Sequence, residues 1–312
     1  MTVGDTGEFG LISSIIARLG TGTACLLGPG DDAAVVAAPD GRVVASTDVL
    51  VDGRHFRRDW STAVDIGHRA AAANFADIAA MGAVPTALLV ALCLPPDVEV
   101  TWTHQLADGL ADECALVGAT VVGGDISASP TLTIAVTALG SLNDGVPVTR
   151  SGARPGDLIA LAGRLGWAAA GYTILSRGFR SPRALVAAHR RPSVPYAAGP
   201  AAARLGATSM IDVSDGLLAD LGHLAEASKV AMEVRKDTLD LPSSMADAAS
   251  ALGVDPYDWV LAGGDDHALV ATFPSTVELS KQWTVIGRVR DGEGVTVDGK
   301  PYGGAGGWDH FR

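Results

Sequence analysis

Aspartates stand beside glycine, serine, threonine or asparagine in six places: Gly30-Asp31-Asp32, Ser46-Thr47-Asp48, Asn74-Phe-Ala-Asp77, Gly123-Gly124-Asp125, Asp212-Val-Ser214-Asp215 and Gly263-Gly264-Asp265-Asp266. Any one of them has an ordinary use, as a turn former or a helix cap. As a set they point elsewhere. Two carboxylates 4 Å apart repel by roughly 4 kcal/mol at an effective dielectric of 20, so a converging group needs cations. Oxygen donors with no cysteine or histidine cluster suit Mg²⁺ or Mn²⁺ rather than zinc, and Mg²⁺ shares its shell with substrate phosphates. The chemistry such a set supports is metal-bridged phosphate chemistry.

The elements that must hold these residues follow from periodicity and punctuation. Phe9, Ile12, Ile15, Ile16 and Leu19 recur at helical spacing before Gly20. Residues 33–38 and 42–47 read as two strands joined in a hairpin across Pro39-Asp40-Gly41. Helices are expected at 63–82 and 101–117, and strands at 86–94, 120–123 and 131–139. Thr47 and Asp48 are thereby expected at the end of one strand, and Asp125 just past another. Asn74, Asp77 and Met81 share one helical face, where an isolated aspartate is costly to bury.

Residues 143–157, rich in glycine and proline, mark a boundary, giving domains at 1–148 and 149–312. The second domain reads as strand 158–162, helix 167–176, a proline-punctuated stretch at 192–200, strand 209–213, helix 217–227, strand 230–234, helical stretches to 261, strand 268–273 and a terminal β ribbon over 285–297. His267 reads as a strand-start residue. Both halves are α+β.

Composition narrows the function classes. With 312 residues and 48% hydrophobic content the chain is globular. Its formal charge of −12, of which −10 falls in residues 1–150, excludes nucleic-acid binding through a basic stripe. Cys25, Cys93 and Cys114 lack CxxC spacing, which argues against a disulfide framework or zinc site and fits a reducing cytoplasm. The uncharged run 78–96 is divided by Gly82, Pro85, Pro95 and Pro96, so no membrane span is expected. Two phosphate motifs fail on context. Gly28-x-Gly30-x-x-Ala33 leads from a helix into a strand and carries two aspartates, and Gly294-x-x-x-x-Gly299-Lys300 has Pro301 where a P-loop needs Ser or Thr.

Taken in order, Gly7-Glu-Phe9, Gly30-Asp-Asp-Ala33, Ser46-Thr-Asp-Val-Leu-Val-Asp-Gly-Arg-His-Phe56, Asn74-Phe-Ala-Asp-Ile-Ala-Ala-Met-Gly-Ala83, Gly123-Gly-Asp125, Thr149-Arg-Ser-Gly-Ala153, Asp212-Val-Ser-Asp-Gly-Leu217, Gly263-Gly-Asp-Asp266 and Gly307-Trp-Asp-His-Phe311 resemble the thiamine-monophosphate kinases of the aminoimidazole-ribonucleotide-synthetase-like superfamily. The resemblance implies a homodimer whose N-terminal domains pair their sheets into a β-barrel, each site closed by a C-terminal α+β domain. It implies transfer of a phosphoryl group from ATP to thiamine monophosphate, the last step to thiamine diphosphate, with several Mg²⁺ ions. By position, Asp32, Ser46, Thr47, Asp48, Asp77, Asp125, Asp212 and Asp215 match the family's metal ligands. Gly124, Asp125, Arg150 and Ser214 match ATP contacts, and His55, Asp265 and Trp308 match the thiamine-phosphate pocket. Asp77, Asp125 and Arg150 are the residues on which charge stabilisation would rest. Asp265 replaces the family's usual glutamate, one methylene longer.

Two superfamily alternatives lack their marks. A selenophosphate synthetase expects a lysine close after its reactive cysteine, and no lysine precedes Lys229. A hydrogenase-maturation enzyme expects a C-terminal cysteine, and the chain ends Phe311-Arg312. An acidic, non-catalytic metal- or nucleotide-binding scaffold is the rival from another class.

Overall fold

The computed structural model describes residues 2–6, 8–20, 22–28, 34–302 and 307. The Gly30–Ala33 motif, with Asp31 and Asp32, and Trp308 with the motif that follows it lie outside the described residues. The chain divides into two units, Met1–Ile78 with Ala83–Asp144, and Ala79–Gly82 with Gly145–Arg312. Both mix helix and strand.

The first unit runs α1 (Val3–Thr6), α2 (Glu8–Ile16), β1 (Cys25–Leu27), β2 (Val35–Val36), β3 (Val44–Val51), α3 (Ala63–Ala80, which ends in the second unit), β4 (Val84–Leu94), α4 (Val100–Val117), β5 (Thr120–Ala128) and β6 (Thr133–Ser141). Its sheet has the order β3-β6-β4-β5. The β3·β6 and β4·β6 pairs are antiparallel, and α4 is the crossover between the parallel β4 and β5. The pleat sorts side chains to two faces. Ser46, Ala138 and Leu88 share one rung and Leu50, Ile134 and Leu92 another, on the face that α3 covers; Leu88 and Ile134 there are 0% exposed. On the other face, Thr47, Thr137 and Leu89 form one rung and Val49, Ala135 and Ala91 another, and Val49 and Leu89 are 49% and 39% exposed. Alanine-rich α3 is an inner helix, with Ala70, Ala71, Ala72, Phe75 and Ala76 all fully buried. The His68 imidazole, 2.7 Å from Glu113, ties it to α4.

The expected hairpin across Pro39-Asp40-Gly41 does not form. β2 pairs with β1, and β3 pairs along its whole length with β6. The turn is held locally instead, Asp40 accepting from the backbone and guanidinium of Arg42. Two strands also run longer than their apolar residues suggest. Ser46, Thr47 and Asp48 lie inside β3, and Asp125 lies inside β5 rather than beyond it.

The second unit runs β7 (Leu158–Ala162), α5 (Trp167–Ser176), α6 (Arg183–Arg190), α7 (Ala198–Arg204), β8 (Ser209–Val213), α8 (Leu217–Ser228), β9 (Ala231–Val234), a 3₁₀ turn at Lys236–Thr238, α9 (Ser243–Leu252), α10 (Pro256–Ala262), β10 (Ala268–Phe273), β11 (Thr284–Arg290), β12 (Gly294–Val297) and β13 (Lys300–Pro301). The sheet order is β13-β12-β9-β11-β7-β10-β8. Every residue of β8 and β10 is buried, and Phe273 meets Trp283 edge-on at 5.2 Å in the core. The expected terminal ribbon is a correction: β11 and β12 do not pair with each other but flank β9, antiparallel and parallel. Helix α6, which ends just before the proline-punctuated stretch 192–200, and α7, which begins inside it, are not among the expected elements. Among the described residues no helix is long and apolar enough to cross a membrane, and the three cysteines are free.

Candidate active site

In the first unit the sheet presents Ser46 and Asp48 to α3. The Ser46 hydroxyl donates to Asp77 Oδ2 at 2.6 Å. Buried Asn74, one turn earlier on α3, accepts the Asp48 N–H at 3.1 Å and donates to the Ala70 carbonyl at 3.0 Å. Its amide therefore locks strand to helix and sets the height of Asp77 over β3. Thr47 is not part of this group. The pleat turns it to the opposite face, where it donates to the Val136 carbonyl at 3.0 Å and accepts from Thr137 at 3.1 Å. Asp125, exposed on β5 after Gly124, accepts from Ser127 at 3.2 Å. It stands at the other edge of the sheet, three strand spacings or about 14 Å from β3.

His55 follows β3 in a tight turn. Its Nδ1 accepts the Val51 N–H at 3.0 Å, which leaves the proton of the neutral ring on Nε2. Beside it lies an open depression of about 390 Å³ lined by Asp52, Gly53, Arg57, Arg58 and Asp59. Arg58 pairs with Asp52 and Arg57 with Asp59, each at 2.8 Å.

In the second unit β8 delivers Asp212 at its end and runs through Ser214-Asp215-Gly216 into α8. Asp212 Oδ2 lies 3.0 Å from His267 Nδ1, and both residues are buried. Asp220, in the first turn of α8, is 1% exposed and accepts the N–H groups of Asp215 and Gly216 at 3.1 and 3.0 Å. It caps its own helix from within, satisfying donors that a helix start otherwise leaves open. One ligand atom each of Asp215, Asp220 and His223 lie within 4.8 Å of one another. Burial pushes the Asp220 carboxyl up to about 7, and the negative charges of Asp212 and Asp215 push in the same direction. Surplus negative charge on oxygen donors is the environment a hard divalent cation relieves, so these residues fit Mg²⁺.

A second loop is fastened against the first. The Asp265 N–H donates to the Ser214 carbonyl at 2.8 Å and the His267 N–H to the Val213 carbonyl at 3.0 Å. Gly264 permits this approach, since a Cβ there would run into the Ser214 carbonyl oxygen. Asp265 and His267 take left-handed φ of 66° and 51°, a region asparagine, aspartate and histidine enter more readily than most residues. Asp266 between them turns inward, 3% exposed, and its Oδ1 accepts the Ala168 N–H at the start of α5 at 2.9 Å. Burial pushes its carboxyl up to about 7. Gly307, which precedes Trp308, lies against the Asp215 turn: a Cβ on it would come 2.9 Å from the Asp215 carbonyl oxygen.

Arg150 is placed differently from the carboxylates. It is exposed, its carbonyl accepts from Ser228 at the end of α8 at 3.2 Å, and Asp215 precedes the start of that helix. Twelve residues of α8, about 18 Å, separate the two. Sequence reasoning missed Asp220 and the role of His267. An acidic residue in the first turn behind Asp215-Gly216 is a capping signal that would have found the former. Nothing in the local pattern marks His267, because its partner is 55 residues away.

The sequence matches the models of the AIR synthase related protein N-terminal domain over residues 30–142 and C-terminal domain over residues 154–300. It is 46% identical over 312 residues to the thiamine-monophosphate kinase of Mycobacterium tuberculosis, covering 99% of this chain and 93% of that protein. The fold is similar to the crystal structure of thiamine-monophosphate kinase from Stenotrophomonas maltophilia K279a, with TM-score 0.83, 33% identity and coverage of 94% and 96% of the two chains. It is also similar to AaThiL complexed with AMPPCP and TMP, with TM-score 0.82, 34% identity and coverage of 100% and 99%. Matches of this extent and identity leave one conclusion, that the chain belongs to the AIR synthase related protein family and, within it, to the thiamine-monophosphate kinases.

Proposed function

We propose that this chain phosphorylates thiamine monophosphate with ATP, giving thiamine diphosphate and ADP by direct in-line transfer. The observation that carries the reading is the full-length likeness to a structure complexed with AMPPCP and TMP, in a chain whose carboxylates gather with hard oxygen donors, Asp77 with Ser46 and Asp215 with Asp220 beside His223. Mg²⁺ ions would be held by Ser46, Asp48 and Asp77 on the α3 side of the first unit's sheet, by Asp125 at the sheet's other edge, by Asp32, and by Asp212 and Asp215 in the second unit. Bound there it supplies neutralisation of phosphate charge. The Thr47 hydroxyl stays in its sheet.

The chain's own part is positioning. The acceptor is a phosphate oxygen, already anionic near neutral pH, so no side chain has to remove a proton from it. Ser46 and Asn74 fix Asp77 and β3 relative to each other, and Asp220 fixes the Asp215 turn. Gly124, Asp125 and Ser214 contact ATP. Arg150 does so too, away from the Asp215 turn and not as the cation facing it. His55 through its Nε2–H, Asp265 and the Trp308 ring hold the acceptor. The open sheet face, where Val49 and Leu89 stand exposed, pairs with that of a second copy, and the enzyme works as a cytoplasmic homodimer.

Incubation with γ-labelled ATP alone should leave the protein unlabelled, and adding thiamine monophosphate should move the label into thiamine diphosphate. Label trapped covalently on the protein would replace direct transfer with a phosphoenzyme.

A further inference from the structure

We propose that His267 is a positioning residue for metal binding: it occupies one carboxylate oxygen of Asp212, so that Asp212 presents its other oxygen as a single, fixed ligand. The inference rests on the reading of Asp212 as a Mg²⁺ ligand. Asp212 is 4% exposed at the end of a wholly buried strand, between Ile211 and Val213, and its cross-strand neighbour on β10 is the apolar Leu269. A carboxylate there requires a donor, and His267 Nδ1 stands 3.0 Å from Oδ2. An ionised carboxylate only accepts, so Nδ1 carries the proton and donates. The imidazole is itself held: residue 267 is 6% exposed, and its N–H is bonded to the Val213 carbonyl at 3.0 Å. Histidine and ligand are thus fastened together twice, once through backbone and once through side chains. Such outer partners orient ligating carboxylates, and their loss typically costs about 10–100-fold in metal affinity.

The test is Mn²⁺ titration followed by electron paramagnetic resonance, in the presence of a non-hydrolysable ATP analogue, together with the Mg²⁺ dependence of turnover. Asp212→Asn should remove one class of bound Mn²⁺. His267→Phe, which keeps a ring but no N–H, should weaken that class about 10–100-fold and raise the Mg²⁺ needed for half-maximal rate by a similar factor, while kcat at saturating Mg²⁺ changes little. His267→Asn should recover most of the affinity, because its amide NH₂ replaces Nδ1 and asparagine tolerates the left-handed backbone. Melting temperatures establish that each variant is folded, and His267→Ala carries the same expectation if the phenyl ring is not accommodated. Unchanged Mn²⁺ affinity in folded His267→Phe or His267→Ala, beside loss in Asp212→Asn, overturns the role of His267 and leaves the ligand reading intact. Unchanged binding in Asp212→Asn overturns the ligand reading itself.

Discussion

Ser46 on β3 and Asp77 on α3 meet through a 2.6 Å hydrogen bond, so that one carboxylate oxygen of Asp77 is directed by the strand rather than by its own helix. Because α3 is buried almost all round, Asp77 cannot shift without disturbing the core beneath it. The metal site of the first unit therefore inherits its geometry from packing.

Loss of charge at this position should be felt in turnover, not in folding. Asp77→Asn preserves shape and the Ser46 hydrogen bond, and should lower kcat at least about a hundredfold with a melting temperature near that of wild type. Asp125→Asn at the opposite edge should do the same. Ser46→Ala, which removes only the orienting bond to a charged group, should cost about tenfold. Wild-type turnover in either asparagine variant removes that residue from the site.

The uncovered sheet face leads to a second expectation. Leu89→Glu on the rung of Thr47 and Thr137 places a charge where a second copy is proposed to pack, and should convert the dimer to monomer with little change in circular dichroism. Light scattering after gel filtration reads the outcome directly. A variant that keeps the wild-type mass, or a wild type already monomeric, contradicts the paired-sheet arrangement.

Asp266 predicts a pH dependence with a definite sign. Its folded-state pKa of about 7 lies above the unfolded value of about 3.9, so the folded state binds the extra proton. Its contribution to stability is intact below about pH 4, falls as pH rises toward 7, and is fully lost above that, by up to about 4 kcal/mol. Asp266→Asn keeps an acceptor for the Ala168 N–H and cannot ionise. Chemical denaturation of both proteins from pH 4 to pH 8 should show the variant gaining on wild type as pH rises through this window. A constant difference between them contradicts the reading.

Much of this was legible from residue order, and the failures share a physical cause. Helix α3, strand β8 and the turn into α8 follow from periodicity and punctuation, which are local. Strand ends in the first unit were placed where polar residues interrupt apolar ones, at Thr47 and Gly123. A sheet edge lets polar residues continue in a strand, so β3 and β5, the two edge strands of their sheet, carry on through Asp48 and Asp125. The hairpin across Pro39-Asp40-Gly41 failed because pairing is decided by the partner: β6 offers β3 eight rungs, whereas β2 spans only two residues. The motif residues of the second unit were found as a pattern, but their supports were not. Asp220 and His267 act through burial and through contacts made by the fold.

Trp308 should act on the acceptor alone. Trp308→Ala removes a ring proposed to stack on the thiamine heterocycle and should raise the KM for thiamine monophosphate about tenfold, leaving the KM for ATP unchanged. An unchanged acceptor KM would remove the stacking role.

The central claim is tested most directly by following ADP and thiamine diphosphate together, with and without Mg²⁺, on adding thiamine monophosphate to enzyme and ATP, with thiamine and other phosphate monoesters as controls. The expected result is equimolar ADP and thiamine diphosphate, formed only with Mg²⁺ and only with thiamine monophosphate. ADP release independent of the acceptor, or no thiamine diphosphate from a folded enzyme at saturating Mg²⁺, would contradict it.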